Sequence, residues 1–174
     1  MENNRKSLIA GNWKMYKTGA EAAQTAGRIV TLTHEVTDVE VMIAPPFTAL
    51  SEVAKVLSGS RIAMGAQNVF WEAKGPFTGE ISPEMLTAAG CRYVIIGHSE
   101  RRQLFGETDE TVNKRIQAAI SAGLTPVFCI GETEAERVEN QTFSILDKQV
   151  RIGLKGFAAK AMKGLIIAYE PPQP

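Results

Sequence analysis

The sequence predicts an α/β fold built on a parallel sheet, and three observations carry that prediction. Short apolar runs alternate with longer segments of helical period. The alternation repeats about every 30 residues, the length of one strand–helix crossover. No Gly/Ser linker, low-complexity tract or shift in composition interrupts it, so residues 1–174 read as a single domain.

The apolar runs are Leu8–Trp13, Val39–Ala44, Ile62–Ala66, Tyr93–Gly97, Leu124–Ile130 and Leu165–Tyr169. Their length and β-branched content suit parallel strands buried on both faces. After the first run, Ala22, Ala26, Ile29 and Val30 share one helical face. Before the fifth, Val112, Ile116, Ala119 and Ile120 do the same, behind a Thr108/Asp109 start and ahead of a Gly123 stop. The segment Glu134–Leu154 reads as helical, with Phe143, Leu146 and Val150 on a common stripe. Periodicity alone leaves open whether six such units form a doubly wound sheet or part of a (β/α)₈ barrel. The turn after the first strand is Gly11-Asn12-Trp13-Lys14, without the glycine pattern of a dinucleotide site or a P-loop, which weakens the doubly wound alternative.

Nineteen basic residues balance 19 acidic ones, so charge offers no reason to expect nucleic acid or an anionic membrane as partner. No run nears the roughly 20 apolar residues of a membrane span. The apolar stretch Leu8–Ala10 is too short for a signal peptide core, and a cytoplasmic protein is expected. Cys91 and Cys129 belong to no C-x-x-C pair, and with His34 and His98 they make no zinc spacing. Two free, buried thiols are expected, with no metal.

Chemically capable residues close several strands. Leu8, Ala10, Asn12 and Lys14 have one parity, as do Val94, Ile96 and His98, and Ile166, Ala168 and Glu170. Parallel strands put their C-terminal ends on one side, so alternation predicts that these polar residues converge on one mouth. Taken singly, each has an ordinary explanation: a solvated lysine, a core histidine, a loop glutamate. Together they make a proton-transfer set. A carboxylate can take the proton beside a carbonyl, a neutral imidazole can polarise the oxygen, and an ammonium can balance the charge that develops. Ser99 is the expected N-cap of a short helix through Glu100, Arg101 and Arg102, whose dipole would disfavour protonation of His98.

At these residues the sequence resembles the triosephosphate isomerase family. The resembling segments are Gly11-Asn12-Trp13-Lys14-Met15, Gly65-Ala66-Gln67-Asn68, Phe77-Thr78-Gly79-Glu80-Ile81-Ser82, Ile96-Gly97-His98-Ser99-Glu100-Arg101-Arg102, Cys129-Ile130-Gly131-Glu132 and Ala168-Tyr169-Glu170-Pro171. They occur in the family's order and spacing from about Leu8 to Pro171. The resemblance implies a (β/α)₈ barrel that interconverts glyceraldehyde 3-phosphate and dihydroxyacetone phosphate in glycolysis and gluconeogenesis, without a cofactor. It implies Glu170 as the proton-shuttling base, His98 as the electrophile, and Lys14 and Asn12 as catalytic and substrate-binding residues, with Ser99 and Glu100 in support. It also implies a homodimer whose loop Gln67–Glu80, including Phe77 and Thr78, inserts into the partner.

The sequence departs from the family in two ways. The segment after Glu170 reads Pro171-Pro172-Gln173-Pro174, which suits an extended tail and not a lid whose hinge must rearrange. Strands seven and eight of the barrel, near which the phosphate site lies, are not in the sequence. An incomplete barrel of about six βα units is expected, with its first and sixth strands as open edges. Two alternatives remain at this point: a catalytically inactive fragment lacking the lid and phosphate-binding loops, or another phosphate-sugar barrel enzyme such as an epimerase.

Overall fold

The computed structural model describes residues 6–172; Gln173 and Pro174, the second half of the proline-rich ending, lie outside them. The elements are β1 (Ser7–Asn12), α1 (Gly19–Leu32), β2 (Val39–Ala44), α2 (Leu50–Leu57), β3 (Ala63–Ala66), α3 (Pro83–Ala88), β4 (Tyr93–Ile96), α4 (Ser99–Phe105), α5 (Asp109–Ser121), β5 (Thr125–Ile130), α6 (Glu134–Val138), α7 (Thr142–Gly153) and β6 (Ile166–Tyr169). Every strand pairs in parallel with the next, in the order β1-β2-β3-β4-β5-β6. A doubly wound sheet reverses its strand order at a switch point; this one runs on without reversal and curls as a partial barrel.

The two faces of the sheet carry different cores. Val94, Ile96, Phe128 and Ile130 pack outward with Ala22, Ala26, Val53, Val112 and Ile116 of the helices. The concave face is smaller, built from Met42, Ala44, Tyr93, Ile95, Val127 and Cys129, with Leu8, Ile166 and Ala168 packed against them. This is the alternation a barrel strand requires, one residue to the helices and the next to the interior.

Helix faces and ends follow their sequence signals for the most part. Ala22 and Ala26 of α1 and Val112, Ile116 and Ala119 of α5 are fully buried. Thr108 caps α5, its hydroxyl accepting from the Thr111 N–H at 3.3 Å while the Thr111 hydroxyl accepts from the Thr108 N–H at 3.0 Å. Ile62, Leu124 and Leu165, expected as first strand residues, precede their strands and are buried in the helix-facing core.

The helical segment Glu134–Leu154 is in fact two helices. Asn140 adopts φ 59, a left-handed geometry that Asn tolerates better than most residues, and the chain restarts as α7. Phe143, one residue into α7, is 87% exposed. The core-facing stripe begins one turn later, at the half-buried Leu146 and Val150. Cys91 and Cys129 are free and buried. Burial pushes the Cys91 thiol up to about 12, and that of Cys129 is raised as well.

Candidate active site

The first piece of the site comes from the end of β1. Alternation carries Leu8 to the concave face but stops at Asn12, because Lys14 lies beyond the strand with φ 51. Two side chains hold this turn. The Lys14 N–H donates to Asn12 Oδ1 at 3.0 Å. Gln67 Nε2 donates to the Lys14 carbonyl at 2.8 Å and to the Ala44 carbonyl at 2.9 Å. Gln67, expected in the dimer loop, therefore braces the Lys14 backbone. Phe77, Thr78 and Glu80 of the same loop are exposed, with the Phe77 ring 4.7 Å from that of Phe70.

The second piece comes from β4, where the parity argument fails. Val94 and Ile96 face the helices, so alternation would have carried His98 away from the mouth. Gly97 prevents this with φ 73. A side chain there would be strained in φ, and its Cβ would stand 3.0 Å from both Arg102 Nη2 and Val112 Cγ2. The turn resets the alternation and swings His98 into the mouth. His98, not Ser99, is the N-cap of α4: its Nδ1 accepts from the Glu100 N–H at 3.2 Å. Ser99 is instead the first helical residue, and its backbone N–H donates to Glu170 Oε2 at 3.0 Å.

Glu170 supplies the third piece. Its N–H donates to the Ile130 carbonyl at 2.8 Å, continuing the β5–β6 ladder by one residue. Its Oε1 lies 3.1 Å from His98 Nε2. With Nδ1 accepting, the proton of a neutral imidazole sits on Nε2 and points at the carboxylate. Lys14 Nζ bonds Glu100 Oε1 at 2.7 Å. That contact raises the Lys14 pKa and lowers that of Glu100. Lys14, His98, Ser99 and Glu170 line one cavity of about 760 Å³, together with Glu132 and Tyr169. The Asn12 carboxamide oxygen is turned to the Lys14 backbone.

Two neighbours were given no role from the sequence. Glu132, fully buried at its side chain, takes Arg137 Nη2 at 2.7 Å and the Tyr169 hydroxyl at 3.1 Å. Gln149 bonds the backbone of Gly131 from α7. Its signal was present: it shares the spacing of the core-facing stripe Leu146, Val150 and Gly153, where a polar residue needs a partner. Among the described residues no three His, Cys, Asp or Glu side chains converge as metal ligands, and no helix is long and apolar enough to cross a membrane.

A family model described as triosephosphate isomerase matches residues 7–173. The triosephosphate isomerases of Geotalea uraniireducens and Geobacter metallireducens are each 54% identical over 167 residues, covering 96% of this chain and 66% of theirs. A crystal structure of triosephosphate isomerase from Bartonella henselae superposes with a TM-score of 0.86 at 40% identity, over 96% of this chain and 68% of that one. The chain thus spans about two thirds of the length of these relatives. On the extent of these matches, and on the curled parallel sheet they share, the chain belongs to the triosephosphate isomerase family.

Proposed function

We propose that the site interconverts D-glyceraldehyde 3-phosphate and dihydroxyacetone phosphate by proton transfer through an enediolate. The observation that carries the reading is the contact between Glu170 and the Nε2 of an imidazole whose Nδ1 is already an acceptor. Glu170 takes the proton from the carbon beside the carbonyl and returns it to the neighbouring carbon. His98 donates its Nε2–H to the oxygen on which negative charge grows, and the Lys14 ammonium balances that charge. Asn12 orients the substrate through the turn it makes with Lys14. Both Glu170 oxygens are engaged within the chain, so substrate must displace the Ser99 and His98 contacts before the carboxylate can act. The reaction needs no cofactor, since the proton moves between carbons of one molecule. The same reading makes the protein a cytoplasmic enzyme of glycolysis and gluconeogenesis. It also makes it a homodimer in which Phe77, Thr78 and Glu80 meet a second copy.

The second reading, a catalytically inactive fragment, is favoured by one observation. Glu170 is followed directly by Pro171 and Pro172, which restrict the backbone motion that closing over a phosphate ester requires. Deuterium exchange separates the two. Dihydroxyacetone phosphate held with the chain in D₂O should gain deuterium at the hydroxymethyl carbon, and Glu170→Gln should abolish the gain. Exchange no faster than in buffer, or equal in both proteins, would leave the inactive reading in place.

A further inference from the structure

Three observations meet at the seam between β5 and β6. Gln149 is a polar side chain, 8% exposed, on the core-facing stripe of α7. Its amide engages both hydrogen-bonding groups of one residue: Oε1 accepts from the Gly131 N–H at 2.9 Å, and Nε2 donates to the Gly131 carbonyl at 2.8 Å. The backbone of Glu170 also passes close to Gly131, since a Cβ on Gly131 would stand 2.3 Å from the Glu170 carbonyl oxygen. A buried amide bonded in this way holds the two peptide units around Gly131, because losing it would leave a half-buried donor and a half-buried acceptor without their partner.

We infer that Gln149 is a positioning residue for Glu170, acting through Gly131. By holding Gly131 in one orientation, it sets the surface on which the Glu170 backbone rests, and so where the carboxylate meets Ser99 and His98. Among the described residues β6 is paired only on its β5 side, so the end of the strand is held from this seam. The inference deepens the proposed isomerase site and rests on Glu170 being its base.

The test uses the whole chain, isotope-labelled for NMR. Gln149→Leu keeps the bulk and removes both bonds; Gln149→Glu keeps the shape and, at neutral pH, removes the donor. The readout is the Ser99 amide, whose N–H donates to Glu170 Oε2. Glu170→Ala marks the resonance position with that bond gone. The Ser99 resonance of Gln149→Leu should move at least half of the way to that mark, and that of Gln149→Glu should move less in the same direction. A Ser99 resonance at its wild-type position in either folded variant overturns the inference. So does failure of both variants to fold, since a residue needed for folding at large is not a positioning residue. In turnover, the variants should lower kcat roughly 10–100-fold with KM within about threefold, the signature of a misplaced base. A wild-type chain without turnover whose Ser99 amide still responds to Gln149 removes the isomerase reading and supports the positioning contact.

Discussion

Strands β2 to β5 and strands β1 and β6 share one sheet but live in different surroundings. In the middle, Met42, Val94, Ile96 and Phe128 are wholly buried, whereas at the edges Ile9, Ile167 and Tyr169 are 60%, 48% and 45% exposed. The candidate site draws on both. His98 leaves the end of β4, in the middle, while Asn12 and Lys14 leave β1 and Glu170 leaves β6. His98 is therefore seated on close-packed core, whereas Glu170 and Lys14 are carried by strands that, among the described residues, are paired along one side only. Damage to the middle should be felt as lost stability. Damage at the edges should be felt as lost geometry, at small cost in stability.

The largest expected effect tests the middle against the edge directly. Phe128 packs among the helices with its ring against Gly153, and Phe128→Ala should lower the free energy of unfolding in urea by about 3–5 kcal/mol. Ile167→Ala, on the edge, should lower it by less than about 1 kcal/mol. Equal losses would break the comparison.

A smaller effect is expected where the middle strands are tied at their ends. Arg102 donates to the Gly97 carbonyl at 2.8 Å and to Asp109 Oδ1 at 2.6 Å, and both members of the ion pair are largely buried. Arg102→Ala should cost about 2–3 kcal/mol, since it leaves Asp109 buried without its partner. A loss near zero would mean that Gly97 holds its turn unaided.

The smallest effect sharpens the edge. Bonding to Lys14 holds Glu100 below its ordinary value of 4.5. The pair's contribution is complete above pH 4.5 and is lost as the pH falls through the lower folded value. Lys14 is held above 10.5 by the same bond, so its share is complete below that pH and is lost as the pH rises past it. Both side chains are nearly half exposed, and screening limits the effect to about 0.5 kcal/mol. Glu100→Gln should remove that much of the difference between the free energies of unfolding in urea at neutral and acid pH.

Much of this architecture was legible in the sequence. Strand positions followed from apolar runs because strands covered on both faces must be apolar throughout, and α1 and α5 followed from faces that bury Ala22, Ala26, Val112 and Ile116. The residues at the strand ends were legible by type, but the way they reach the mouth was not. Alternation holds only while the backbone stays extended, and one left-handed residue resets it, as Gly97 does before His98 and Lys14 does after β1. Asn140 broke a helix whose apolar period continues past it, since the period reports what is buried and not where the backbone turns. The cap passed from Ser99 to His98 for a related reason, since either side chain can accept from the first turn and only the turn before it decides which does. Gln67 at Lys14 and Gln149 at Gly131 bond across 53 and 18 residues, distances over which local pattern does not name the partner, even where, as at Gln149, it marks a polar residue that needs one.

The measurement that bears most directly on the account is the isomerisation of glyceraldehyde 3-phosphate by the purified chain, with Glu170→Gln prepared and assayed in parallel. The parallel preparation matters because this family is itself a standard example of turnover near the diffusion limit, and a trace of host enzyme would imitate a weak activity. The account predicts turnover in the wild-type chain that is lost in Glu170→Gln, which would mean that residues carried on two open edges assemble around His98. Equal rates in the two preparations, or none in either, would contradict it.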